Sequence, residues 1–579
     1  MKPKVLQLVI GLLLLHQWSF SQPLAATDGL GRVLPQYDQV GSSRSDRTVA
    51  LFYFLWQGDP TSPISEQHWD LHELYSKHPA VFEDFNDPNW GGGAGVSGRY
   101  YFWGQPIYGY YHGGDYWVHL KNIQLLTDAG VDVLILDATN RLTYLKQANT
   151  LMQAIEAIKR QGKNPPKLAF YTNTQSGETM QELYDNCYKA EAPYRHPDTW
   201  YYLEGKPLII GWSKEALGSN YASFFTIRES QWPNEPQKAG GWPWIDFNRP
   251  QQVYVNKQGQ REIINVSTAQ HPNLEASMGG SAFYKQPGNW GRSYHQGAPG
   301  NADDLPYGYN IQEQWDIALK QNVPFIFVTG WNEWIAGKWQ GRKGDKKHSL
   351  FVDQASPEYS RDIEPSLTAD LKDHYYMQLV SNIRRYKGIA PLPALSPMKR
   401  IRSWTDWKEV SPAFGDYTGD VLARDYPGAP RVPTIRYVDR TGRNDFKQLK
   451  VAQDQKYLYC YAETVDPITT DRDSAWMNLW LDVDRSQQTG WCGYDYRVIA
   501  GEKLQHFAQG KWTTIAKVTY QLSKNRLMIT IPQKLIGITP NLNIEFKWSD
   551  NMQQADPLDW YVHGDAAPGG RFNFVALRK

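Results

Sequence analysis

Asp115-Tyr-Trp-Val-His-Leu-Lys-Asn-Ile-Gln-Leu-Leu-Thr-Asp-Ala-Gly-Val-Asp-Val-Leu-Ile-Leu-Asp137 decides the reading of the fold. Asp115 is a helix-capping residue, and Trp117, Leu120, Ile123 and Leu126 recur at helical spacing on one face. Gly130 supplies the left-handed stop. Val131 to Leu136 then runs apolar without alternation, as a strand covered on both faces does, and ends on an acid.

The same helix-to-strand unit repeats on both sides. Ala50-Leu-Phe-Tyr-Phe-Leu-Trp56 is a buried strand, and Lys167-Leu-Ala-Phe-Tyr-Thr172 and Pro207-Leu-Ile-Ile-Gly-Trp212 are others. Ser223-Phe-Phe-Thr-Ile-Arg228, Glu262-Ile-Ile-Asn-Val266 and Pro324-Phe-Ile-Phe-Val-Thr329 complete the set. Helices carry Leu151, Ile155 and Ile158, then Trp315 and Leu319, and lastly Leu371, Tyr375, Leu379 and Ile383 before Gly388. About seven such units predict a (β/α)8 TIM barrel with long loops, and an open doubly wound sheet is the alternative.

Gly388 to Pro397 is proline-rich and reads as a stiff linker. Beyond it only strand patterns remain, among them Tyr457–Ala462, Met477–Asp484, Arg526–Ile531 and Leu542–Trp548, which predicts an all-β sandwich. At the other end, a basic Met1–Lys4, an apolar Val5–Leu15 and the small residues of Ser21–Ala26 form a secretory signal pattern too short to span a membrane. The expected division is therefore a signal peptide over 1–26, a barrel over 27–390, a linker over 391–400 and a sandwich over 401–579. A secreted or periplasmic protein without integral membrane contact in its mature form is expected.

With 41% hydrophobic and 21% charged residues, the 579-residue chain has a globular composition. Its 61 basic and 60 acidic side chains leave no surplus to neutralise phosphates, which argues against nucleic acid as a partner. Aromatics are unusually abundant at 14%, with 24 Trp and 36 Tyr. Flat rings pack on the apolar face of a pyranose, so a poly- or oligosaccharide partner is expected; core filling is the plainer use. Cys187, Cys460 and Cys492 are too few for a disulfide scaffold; at most Cys460 and Cys492 pair, and free buried thiols serve equally.

The chemistry is expected at Thr329-Gly-Trp-Asn-Glu-Trp334. Barrel active sites collect side chains at the C-terminal ends of strands, and Glu333 follows one directly between Trp331 and Trp334. Apolar walls raise a carboxyl toward the range of a general acid. Asn332 is placed to orient it or bind a hydroxyl. Cleaving a glycosidic bond requires two carboxyl groups, about 5 Å apart for retention or roughly 6.5–9.5 Å for inversion. Asp137 and Glu229 are the preferred partners; Asp246 and Glu275 are weaker ones. Further strand-end contacts are Trp56, Asn140, Asn173 and Trp212, with His112 in the loop before the Asp115 helix. Gly93-Ala-Gly-Val-Ser-Gly98 has the letters of a dinucleotide fingerprint but no strand before it, and no two-histidine zinc pattern exists. No cofactor and no catalytic metal are expected.

Gly109-Tyr-Tyr-His-Gly-Gly-Asp115, Gly130–Asp137 and Thr329–Trp334 together resemble the glycoside hydrolase family 99 and 71 barrels. The resemblance implies a (β/α)8 fold and cleavage of polysaccharides, on α-mannosides in family 99 and α-1,3-glucans in family 71. Family 99 carries a second acid three residues after the first; here Ile335-Ala336 replaces its His-Glu pair. Asp406-Trp407, Met477–Asp484, Gly490–Tyr496 and Asp559–Asn573 resemble a family 9-like carbohydrate-binding or DOMON-type sandwich. That likeness implies sugar binding between rings such as Trp476, Trp491, Trp548 and Trp560, with the sandwich core as their other use. Asp482, Asp484 and Asp495 offer a structural calcium site. The leading expectation is an exported glycoside hydrolase. A glycan-binding protein on a decayed barrel is the alternative, followed by another carbohydrate-active hydrolase such as a deacetylase.

Overall fold

The computed structural model describes residues 23–59, 61–272, 288–341, 346–351, 355–538 and 541–578. Eight parallel strands form a nearly closed barrel. They are β1 (Thr48–Tyr53), β2 (Val133–Ala138), β3 (Lys167–Thr172), β4 (Lys206–Gly211), β5 (Thr226–Gln231), β6 (Gly241–Pro243), β7 (Arg261–Ser267) and β8 (Phe325–Thr329). Pairing runs β6-β5-β4-β3-β2-β1-β8-β7, all parallel. The seam between β6 and β7 lacks a backbone ladder. Side chains bridge it instead: Asn265 Nδ2 donates to the Trp244 carbonyl at 3.0 Å, and Trp242 Nε1 donates to Glu262 at 2.9 Å.

Two apolar layers follow from the strand alternation. Ala50, Phe52, Val133, Ile135, Tyr171, Ile210, Trp242 and Phe327 fill the barrel interior. Leu51, Leu134, Leu136, Phe170, Ile209 and Val328 face the surrounding helices. The helix predicted to start at Asp115 is α1 (Tyr116–Ala129), with Asp115 accepting from Trp117 N and Gly130 left-handed at φ 80°. The helices α2 (Leu145–Arg160), α3 (Ser176–Leu183), α4 (Tyr309–Gln321) and α5 (His374–Lys387) complete the main outer layer. No helix among the described residues is long and apolar enough to cross a membrane.

Two strand readings shift. Ser223–Phe225 is not strand: Phe224 and Phe225 turn to pack on Tyr184 and Tyr188, and β5 begins at Thr226. The three-residue β6 carries no apolar run, so its sequence gave no strand signal.

The C-terminal part is two antiparallel sheets, of five and seven strands, packed as a sandwich. Trp476 and Trp548 lie in its core, whereas Trp480, Trp491, Trp560 and Tyr494 form a separate aromatic cluster. All three cysteines are free thiols. Two segments cross the expected boundaries. Leu24, Ala25 and Ala26 are buried, and Ala25 exchanges backbone hydrogen bonds of 2.9 and 2.7 Å with Asn573 of the sandwich. The folded body thus includes residues assigned above to the signal peptide. A hairpin (Arg424–Arg431 with Thr434–Asp439) leaves the sandwich and lies on the barrel loops, where Arg424 Nε pairs with the capping Asp115 at 2.9 Å.

Candidate active site

Glu333 sits just past the C-terminal end of β8 and is 6% exposed. Its neighbour is a cation: Arg361 Nη2 donates to Glu333 Oε2 at 2.6 Å. Arg361 is itself buried, lies 5.1 Å from the centre of the Trp244 ring and is 3.4 Å from His271 Nδ1. The sequence reading put Glu333 between two indoles; the structure turns both rings away from it. Trp331 is fully buried against Tyr376 on the helix side. Trp334 stacks on Trp103 at 4.5 Å, and its Nε1 donates to Glu364. Neither ring is free to hold a ligand.

Asn332 is a clamp. Its Oδ1 accepts from Phe54 N at 2.8 Å and its Nδ2 donates to the Phe54 carbonyl at 3.0 Å. It locks the loop after β8 onto the end of β1. Behind it lie two further buried acids. Asp362 accepts from the Glu333 backbone N–H and from Trp103 Nε1, and burial pushes its carboxyl up to about 6. Glu364 accepts from Tyr111 and Trp334, and burial pushes it up to about 7. Both are under 4% exposed and support the loop from behind.

Strand parity places the other candidates. Val133 and Ile135 point into the barrel, so Asp137 does too, two inter-strand spacings from Glu333 with β1 between them. Asn173 follows Ala169 and Tyr171 inward, where its Oδ1 accepts from Trp212 Nε1 and Ser230 Oγ. Trp212 also points inward, but Lys238 Nζ covers its ring at 3.8 Å. Trp56 packs edge-on against Tyr100 at 5.4 Å. With Trp232 and Trp244 it supplies three buried indole N–H groups that lack an acceptor.

Glu229 does not join them. It lies between the inward Arg228 and Ser230, so it faces out, where it accepts from Ser213 and pairs with Lys257 at 3.4 Å. It ties β5 to Ser213, just after β4, and to Lys257 in the turn before β7. Asn140 is exposed on the loop after β2. His112 faces the hairpin, with its ring against Tyr426 and its Nδ1 accepting from Gly114 N; burial and nearby Arg431 lower its pKa. Asp246 closes a turn by accepting from Asn248 N and Gln252 N. Glu275 lies outside the described residues. Arg361 and His271 were missed because they come from long loops without periodicity.

In the sandwich, Asp482, Asp484 and Asp495 bring one oxygen each within 4.8 Å of one another. Backbone N–H groups of Val483, Arg485 and Ser486 already occupy oxygens of all three.

No family model matches the chain, and no curated protein matches it significantly. Among solved structures it is similar to a GH99 endo-alpha-mannosidase from Bacteroides thetaiotaomicron, at 15% identity, 59% of this chain, 97% of the other and a TM-score of 0.34. An alpha-fucosidase from Thermotoga maritima aligns at 9% identity over 85% of this chain and 93% of its own, with a TM-score of 0.25. Alpha-L-fucosidase isoenzyme 1 from Paenibacillus thiaminolyticus aligns at 10% identity over 84% and 96%, with a TM-score of 0.22.

Proposed function

We propose that the protein is a glycoside hydrolase acting on a poly- or oligosaccharide at the mouth of the barrel. The observation that carries this is the buried Glu333, held by Arg361 at 2.6 Å just past the end of β8. Asp137 is its partner. Asp137 lies on β2 and Glu333 follows β8, the two strands that flank β1 on either side. An inverting reaction requires their carboxyl groups to stand roughly 6.5–9.5 Å apart around a sugar and a water. In this reading Glu333 takes a proton from the attacking water while Asp137 gives one to the leaving oxygen. The three acceptor-less indole N–H groups of Trp56, Trp232 and Trp244 suit a ligand rich in hydroxyls. Reducing-end release from a polysaccharide panel, with Asp137→Asn and Glu333→Gln alongside the parent protein, tests this. Release by both variants equal to that of the parent protein would refute it.

A second reading has one observation in its favour. Glu333 is already paired, and Ile335-Ala336 provides no adjacent acid, as a glycan-binding barrel without turnover would have it. Glycan retention on an affinity gel without any product supports that reading.

We further propose export, with the leader removed upstream of Leu24, because Leu24–Ala26 are buried and Ala25 is bonded to Asn573. The mass of the exported chain tests this; an N-terminus at Thr27 refutes it.

A further inference from the structure

A second set of acids lies where barrel and sandwich meet. Asp420 precedes the hairpin, Asp445 precedes the strand Phe446–Gln453, and Asp565 opens the strand Asp565–Ala567. One oxygen from each lies within 4.8 Å of the others, and the three residues are 8%, 8% and 4% exposed. Each carboxylate has one oxygen fixed by a donor. Gln124 Nε2 of α1 donates to Asp420 Oδ2 at 3.0 Å, Gly419 N to Asp445 Oδ2 at 2.7 Å and Phe446 N to Asp565 Oδ2 at 2.6 Å. The remaining oxygens Asp420 Oδ1 and Asp445 Oδ1 are buried and have no hydrogen-bond partner.

Positive charge is scarce here. Lys121 Nζ reaches Asp420 Oδ2 at 3.6 Å, but no lysine or arginine pairs with Asp445 or Asp565 among the described residues. Lys547 is buried nearby, yet its Nζ donates to the Pro568 carbonyl. Asp416 adds a further acid, with its Oδ2 buried and unpartnered. Burial together with mutual repulsion raises Asp445 to about 7 and Asp565 well above the carboxylate range. Unpaired buried carboxylates each cost several kcal/mol, and a cation offsets that cost directly. A cavity of about 30 Å³, lined by Asp416, Asp420 and Asp565, adjoins the cluster and has room for one ion or water.

We propose that Asp420, Asp445 and Asp565 bind a hard divalent cation of the calcium type that ties α1 of the barrel to the sandwich. Oxygens at about 2.4 Å from a common calcium lie no more than about 4.8 Å apart, and one oxygen of each of these acids lies within that limit of the others. The donor set is all oxygen, as such a cation requires and as zinc or copper does not favour. This site is separate from the Asp482 set, and unlike that set it keeps two buried carboxylate oxygens, Asp420 Oδ1 and Asp445 Oδ1, without a hydrogen-bond partner; it does not depend on the barrel being catalytic.

The test uses the full chain, dialysed against calcium and then against metal-free buffer, with bound calcium measured by mass spectrometry. Asp445→Asn and Asp565→Asn are expected to lose about one equivalent relative to the parent protein, while Asp484→Asn keeps it. Thermal unfolding of the unmutated chain provides a readout that needs no variant: calcium is expected to raise the Tm by several degrees over a chelator. Terbium gives a second such readout, because Trp560 and Tyr561 line the same cavity and can sensitise its emission. The proposal is overturned if the unmutated chain holds no calcium and its Tm ignores the chelator. It is equally overturned if folded Asp445→Asn and Asp565→Asn proteins keep the full calcium content.

Discussion

Buried acids at the barrel mouth and buried acids at the domain seam follow different rules. At the mouth, Glu333 has Arg361 at 2.6 Å, and the acids behind it are capped by the indole N–H groups of Trp103 and Trp334. At the seam, Asp445 and Asp565 have backbone donors but no lysine or arginine pairs with them among the described residues. The first arrangement holds a charge ready within the protein alone. The second is incomplete in charge and calls for a counter-ion from solution. Burial raises carboxyl pKa values in both places, so a raised value does not by itself mark a catalytic group; what the charge faces does.

The largest effect expected from breaking this contrast is at Glu333. Glu333→Gln should lower turnover by roughly 10³-fold or more, while circular dichroism and Tm stay near those of the parent. Removing the cation instead tests the pairing. Arg361→Met removes the cation beside a buried carboxylate, and breaking such a pair costs about 3–5 kcal/mol. Denaturant unfolding should show that loss, and the double variant with Glu333→Gln should recover much of it. A double variant as unstable as the sum of its parts would mean the pair is not coupled.

A smaller effect separates binding from chemistry. Trp56→Ala should raise KM several-fold with kcat nearly constant, since its ring lies at the end of β1 and its N–H lacks an acceptor. Glu229→Gln, facing outward, should leave kcat/KM within about twofold; a loss comparable to that of Glu333→Gln would return Glu229 to the site.

The smallest effect is a slope. Glu364 is raised from an ordinary 4.5 to about 7 by burial, so the folded chain binds this proton more tightly than the unfolded chain does. Its contribution to stability is fully present below the ordinary carboxylate range and is lost as pH rises from about 4.5 to about 7. Glu364→Gln stays neutral, so its Tm should fall less across that window than that of the parent protein. An unchanged slope would assign the pH dependence to other groups, the seam acids among them.

How much was legible depended on how local the signal is. The α1–β2 unit was readable to the residue, because Asp115, the apolar spacing and Gly130 act within one stretch. Asp137 and Asn173 were placed correctly at strand ends, because alternation carries from the apolar interior to the polar tip. Glu229 failed on the same rule. The run before it was taken as strand from Ser223, and without the parity of the neighbouring strands nothing in the sequence says whether Arg228 or Glu229 faces in. The two indoles beside Glu333 misled for a related reason: adjacency in sequence sent them to the helix side and to the Trp103 stack, not to the pocket.

By itself the sequence determined the repeating helix-and-strand order, the change to antiparallel sheets beyond the proline-rich stretch, and the strand-end position of Glu333. These follow from periodicity and capping, which act over one or two turns of chain. Tertiary structure alone decided the short strand that nearly closes the barrel, the direction of Glu229, the pairing of Glu333 with Arg361 and the meeting of Asp420, Asp445 and Asp565. Each of these brings together residues with no shared local pattern. Only the closing of long loops and the docking of two domains sets which charge ends up beside which.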